Sequence, residues 1–243
     1  MPDRYEYPWR FSDSVITHKI YSRGAGPNIV VLHELPGLTR ECFDLGVLLS
    51  DSVRARVHLP LLFGAAQPGF CGRQVNAMRI CVSKEIHAFA ANKTSPIVSW
   101  CRALCRKLKS ESSTLGVAVV GMCLTGGFAL TLVADDSVLA SVVAQPSLPL
   151  FIHRAALGMF DGDVNAIKAR TDRLGETCVL GLRFRWDLIS PRARMNAIRR
   201  LVGPNFDCLE LRGCRHSTLT DRHPRALEKT ISFLSERLGT KAG

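Results

Sequence analysis

Residues 115–134 read LGVAVVGMCLTGGFALTLVA, twenty positions without a charge. A run of about 20 uncharged residues is also the length of a membrane span, but this one changes character at its middle. Leu115–Val120 is short and rich in β-branched residues, as a buried parallel strand is. Gly126-Gly127 followed by FALTLVA opens like a helix. Between them Gly121-Met122-Cys123-Leu124-Thr125-Gly126 has the layout of a nucleophile elbow, a sharp strand-to-helix turn that presents one reactive side chain. The tight turn requires small neighbours, which Gly121 and Gly126 supply. The starting helix would aim its free N–H groups at the Cys123 sulfur and favour thiolate over thiol. The alternative is a buried structural cysteine beside a glycine turn.

Outward from this elbow the chain alternates strand and helix signals. Val15–Tyr21, Asn28–Leu32, Val53–Leu59, Val138–Gln145, Cys178–Phe184 and Phe206–Leu211 read as strands. Arg40–Leu49, capped by Thr39, is helical, as is the segment after Ser95-Pro96, where Ile97, Trp100, Cys101, Leu104, Cys105 and Leu108 form one apolar stripe. Further helices are expected from Ser190-Pro191 to Val202 and over Pro224–Leu238. Gly64–Gly72 is read as loop, Arg73–Asn92 is ambiguous, and 146–175 is read as an excursion over the site. The pattern predicts a single α/β domain over residues 1–243, a mainly parallel sheet with helices on both faces.

Composition narrows the function. The formal net charge is +11, with arginines crowded after Arg170; such an excess can attract nucleic acid, a membrane surface or anionic substrates, and a solvated basic face is the default reading. No aromatic interleaving or nucleic-acid motif accompanies the arginines, so a nucleic-acid partner is not expected, and neither is a membrane. The N-terminus MPDRYEYPWRFSD lacks the apolar core of a secretory signal. The nine cysteines are odd in number and follow no disulfide or zinc spacing, so reduced thiols in a cytoplasm are expected. Neither Cys101 with Cys105 nor Cys208, Cys214 and His216 has the spacing of a structural zinc site, and no metal is predicted.

In open α/β sheets sites form at the carboxyl ends of strands. The polar residues there are Glu34, Cys123, Asp187 and His216, and the last three follow the order nucleophile, acid, histidine of the α/β-hydrolase fold. His216 would take the proton of Cys123 and Asp187 would fix the imidazole tautomer. His223 is the near competitor for the base, and Asp207 and Glu210 for the acid; Asp187 could instead cap the helix near Ser190, and Glu34 could be a solvated loop carboxylate. By the same layout the backbone N–H groups of Leu124 and Leu35 are the expected oxyanion donors.

HELPG at 33–37, LPLLFG at 59–64, GMCLTGG at 121–127, Asp187 and RHS at 215–217 together resemble the dienelactone hydrolase family, over about Asn28 to Leu238. The resemblance implies a Cys123-His216-Asp187 triad, a Glu34 carboxylate that contacts the cysteine and switches it to a reactive thiolate, and no cofactor. It also implies hydrolysis of an enol-lactone to an open-chain acid through an acyl-thioester. Two positions depart from the family pattern. Thr125 stands where glycine is usual, on a side where it could crowd the oxyanion. Thr220 stands where an arginine for a substrate carboxylate is expected, with Arg215 or Arg222 as substitutes. The leading expectation is a hydrolase of a small ester or lactone. An acyltransferase or thioesterase with the same triad, and a hydrolase-like scaffold that binds without turnover, are the alternatives.

Overall fold

A computed structural model describes residues 4–35, 37–67, 95–147 and 161–240. The strands are β1 (Trp9–Ser12), β2 (Thr17–Arg23), β3 (Asn28–Leu32), β4 (Arg56–Pro60), β5 (Val117–Met122), β6 (Val138–Ala144), β7 (Val179–Phe184) and β8 (Phe206–Leu211). The helices are α1 (Arg40–Val53), α2 (Pro96–Ser110), α3 (Leu124–Leu132), α4 (Asp161–Leu174), α5 (Arg192–Val202) and α6 (Pro224–Leu238). The strands form one sheet in the order β1-β2-β4-β3-β5-β6-β7-β8. β2 pairs antiparallel with both β1 and β4, and the other neighbours pair in parallel.

The central strands are apolar on both faces because helices cover both. Successive β5 side chains point to opposite faces. Val117 and Val119 meet Trp100, Leu104 and Phe128, whereas Ala118, Val120 and Met122 belong to the core containing Phe43, Leu49, Phe233 and Leu234. A third cluster joins Leu130, Val143 and Val179 to Ile167, Met195 and Ile198 under α4 and α5.

Local signals account for most boundaries. Thr39 Oγ1 accepts the Cys42 N–H at 3.4 Å and starts α1. Ser95 makes no side-chain cap bond, so the fixed φ of Pro96 begins α2. Pro191 rather than Ser190 is the N-cap of α5. β1 was not expected from the sequence; its residues alternate between half-buried and exposed, and it gains its place by pairing with β2.

Part of the expected excursion over 146–175 is helical. Residues 161–174 form α4, which buries Ile167 in the third cluster, buries Thr171 as well, and lies between β6 and β7 in the chain. The 148–160 part, the loop beyond residue 67 and the ambiguous stretch at 73–92 lie outside the described residues. No described helix is long and apolar enough to cross a membrane.

Candidate active site

β5 leads into Cys123, which sits at φ 58° and ψ −122°, a conformation that costs a non-glycine residue about 1–3 kcal/mol. The surroundings enforce it. A side chain at Gly121 would collide with the Thr125 carbonyl and Ala129, and one at Gly126 would press on Ala144 and Pro146. Cys123 N–H donates to Ala144 O at 3.0 Å, and Cys123 O accepts from Gly126 at 3.1 Å and from Ser147 at 3.1 Å. The elbow read from the sequence is therefore present, with α3 starting at Leu124.

Thr125, the departure at the elbow, is fully buried and turned away from the reactive side. Its hydroxyl lies 3.0 Å from Leu32 O and 2.9 Å from Met122 O, and accepts the Met122 N–H at 3.0 Å. It staples the elbow to the end of β3 rather than crowding the oxyanion side.

Asp187 follows β7 and divides its oxygens between two tasks. Oδ1 accepts the N–H groups of Ile189 at 2.9 Å and Ser190 at 3.1 Å, while Oδ2 accepts His216 Nδ1–H at 2.7 Å. Oδ1 thus closes a turn ahead of α5 rather than capping the helix, whose N-cap is Pro191, and Oδ2 is left to face the ring of His216. Arg183, fully buried, ties this loop down through the carbonyls of Ser190, Arg185 and Asp187 and pairs with Glu210 at 2.6 Å. Glu210 is thereby committed elsewhere, and Asp207 pairs with Lys229.

Burial alone would push the Asp187 carboxyl up, yet the His216 hydrogen bond and charge hold it below the ordinary range. For His216 the balance runs the other way. Burial disfavours the imidazolium, but the Asp187 hydrogen bond and the Cys123 sulfur opposite override it and push the ring up to about 10. Nε2 of His216 is buried on the Cys123 side without closing a hydrogen bond of ordinary geometry.

The Glu34 carboxylate does not bond to Cys123 as the resemblance implied. Ser217 donates to its Oε2 at 3.0 Å and Thr220 to its Oε1. Burial pushes this carboxyl above the ordinary range, partly countered by the two hydroxyls. Thr218 is held similarly, its hydroxyl donating at 2.6 Å to Gln145 Oε1 at the end of β6. The loop carrying His216 is therefore gripped from two strand ends, and Thr220 is part of that grip.

Leu124 is the first residue of α3, where an N–H has no intrahelical acceptor. Leu35 lines a cavity of about 220 Å³ with Glu34, Thr39, Glu41, Ser217, Thr220 and Asp221. A larger hollow of about 620 Å³ around Arg106 and Asp135 lies at the opposite ends of the strands. Arg215 pairs with Asp221 at 2.5 Å on the surface, and Arg222 is exposed in the following turn. Neither is drawn against Cys123.

Two further neighbours of Cys123 escaped the sequence reading. Ser147 Oγ lies 3.0 Å from the sulfur. Arg194 of α5 is buried and donates to Pro146 O at 3.2 Å; burial works against its charge and Cys123 in favour of it. A polar residue just past β6, and an arginine one helical position off the exposed face of α5, were the only available signals.

This sheet order, with a strained turn between β5 and α3 and an acid–histidine pair after β7 and β8, is the α/β-hydrolase fold. A dienelactone hydrolase assignment from Klebsiella pneumoniae is among the similar solved structures, with TM-score 0.62 and 14% identity over 97% of this chain and 99% of that one. The naproxen esterase of Bacillus subtilis superposes with TM-score 0.59 at 12% identity over 95% and 91%. A bromoperoxidase from Bacillus anthracis superposes with TM-score 0.60 at 14% identity over 94% and 99%. No family model matches the sequence, and no curated protein matches it.

Proposed function

We propose that this protein hydrolyses a small ester or lactone by covalent catalysis at Cys123. The observation that carries the reading is the 2.7 Å bond from His216 to Asp187 with the other ring nitrogen buried beside a cysteine in a strained elbow. In this reaction the Cys123 sulfur, its proton on His216 Nε2, attacks the ester carbonyl. The oxyanion forms against the N–H groups of Leu124 and Leu35, donors whose loss typically costs roughly 10²–10³ in rate. His216 then gives its proton to the departing alkoxide, leaving an acyl-thioester. A water that yields a proton to His216 attacks the thioester and releases the acid and the thiolate.

Glu34 acts in this scheme by holding Ser217 and Thr220, and with them the loop that carries His216. Arg215 and Arg222, exposed on the surface near His216 in the chain, add positive charge that suits an anionic substrate, Arg215 in part offset by Asp221. No residue needs a cofactor in these steps.

The test is pre-steady-state turnover of a p-nitrophenyl ester. Wild-type protein is expected to give a burst equal to the enzyme concentration, and Cys123→Ala none. Unchanged turnover in Cys123→Ala would refute the reading. Product partitioning between water and an added alcohol or thiol would expose an acyltransferase.

A further inference from the structure

We propose that Ser147 is a catalytic residue: its hydroxyl donates a hydrogen bond to the Cys123 sulfur and holds it as the thiolate between turnovers. The placement is built, not incidental. Ser147 is buried, and its own N–H donates to Cys123 O at 3.1 Å while Cys123 N–H donates to Ala144 O at 3.0 Å. These two bonds lock the turn after β6 against the elbow, with the hydroxyl 3.0 Å from the sulfur. Behind it Arg194 donates to Pro146 O at 3.2 Å and fixes the same turn from α5.

The direction of the bond follows from the chemistry of sulfur. A neutral thiol is a weak donor and a weak acceptor, whereas hydrogen bonds to an ionised acceptor are shorter and stronger. Among the described residues, the charged groups facing this sulfur are His216 from the loop after β8 and Arg194 from α5, both cationic, together with the N-terminus of α3. Asp187 and Glu34 bear on it through His216. Two cations and a helix N-terminus facing the sulfur favour the arrangement in which Ser147 donates and the sulfur accepts.

The Ser147 proton never leaves its oxygen. When sulfur bonds to the substrate carbon its negative charge passes to the oxyanion, and the hydrogen bond weakens. When the thiolate departs during deacylation, the bond re-forms. His216 performs every proton transfer, and Ser147 sets how much thiolate is present at neutral pH.

This role rests on Cys123 being the nucleophile, yet it can be tested without a substrate. Iodoacetamide alkylation is followed from pH 5 to 10.5 by mass spectrometry of the Cys123 peptide, with exposed Cys214 as an internal reference. Removing a hydrogen bond to a charged group should move the Cys123 midpoint up by about one pH unit in Ser147→Ala and slow alkylation at pH 6 by about tenfold. The rate above pH 10 and the Cys214 profile should not change, and Ser147→Thr, which keeps the hydroxyl, should return towards wild type. A midpoint that does not move, or faster alkylation at pH 6 in Ser147→Ala, overturns the proposal. A shifted profile in a protein that turns over no ester would instead refute the hydrolase reading and leave Ser147 in its role.

Discussion

Replacing Asp187 with asparagine separates the two tasks of that side chain. In the wild type Oδ1 takes the N–H groups of Ile189 and Ser190 while Oδ2 takes His216 Nδ1–H. In Asp187→Asn the amide oxygen must stay with the two backbone donors, because turning the amide over would oppose NH₂ to N–H. The NH₂ group therefore faces His216. A donor at that place forces the ring into the other tautomer, with the proton on Nε2, and a ring protonated there cannot accept the Cys123 proton. A wrong tautomer of this kind costs a hydrolase about 10⁴ in kcat, and on the order of 10³–10⁴ is expected here, equivalent to roughly 4–5 kcal/mol at about 1.4 kcal/mol per decade. The Ile189 and Ser190 bonds survive, so urea unfolding should stay close to wild type. The assay is kcat on a p-nitrophenyl ester beside an unfolding curve on the same sample. A variant within about tenfold of wild type refutes the assignment of Asp187 as the residue that sets the tautomer.

Thr125→Ala removes the acceptor of the buried Met122 N–H and the donor shared by Leu32 and Met122. It should lower unfolding stability by about 1–3 kcal/mol in urea melts, and a loss below about 0.5 kcal/mol would mean that the staple holds nothing. Acid should destabilise the protein well above the ordinary carboxylate range. Burial pushes His33 down to about 4 and His58 down to about 3. Both fold neutral, so their stabilisation is complete above the unfolded value near 6.5 and is lost as pH falls from there through the folded values. For His33 alone the limit is roughly 3 kcal/mol, and a urea midpoint that does not fall between pH 7 and pH 4.5 contradicts it.

The elbow was legible in the sequence because its constraints are local. A strained turn needs Gly121 and Gly126, and a buried parallel strand needs the β-branched run before it. Asp187 and His216 were legible because each follows a strand, and the sheet brings strand ends together. Ser147 and Arg194 were not, since their contact with Cys123 depends on how the turn after β6 folds back over the elbow. The partner of Glu34 was misread for a related reason. Its carboxylate is satisfied by Ser217 and Thr220 from more than 180 positions away, and hydroxyl residues in a loop do not announce their acceptors. Thr220, read only as a missing arginine, has a job that its own chemistry explains. Helix α4 was hidden because its sequence is polar on most sides and its core contacts are few.

The hydroxyl grip on the His216 loop also decides what ionic strength can reach. Ser217, Thr218 and Thr220 fasten that loop by buried hydrogen bonds, and Thr125 fastens the elbow in the same way. Dissolved ions screen exposed charges over about 10 Å at 0.1 M but hardly touch such bonds. Arg215 and Arg222, on the surface, are open to that screening. Salt therefore acts on how an anionic molecule would arrive at this surface and leaves the alignment of Cys123, His216 and Asp187 alone.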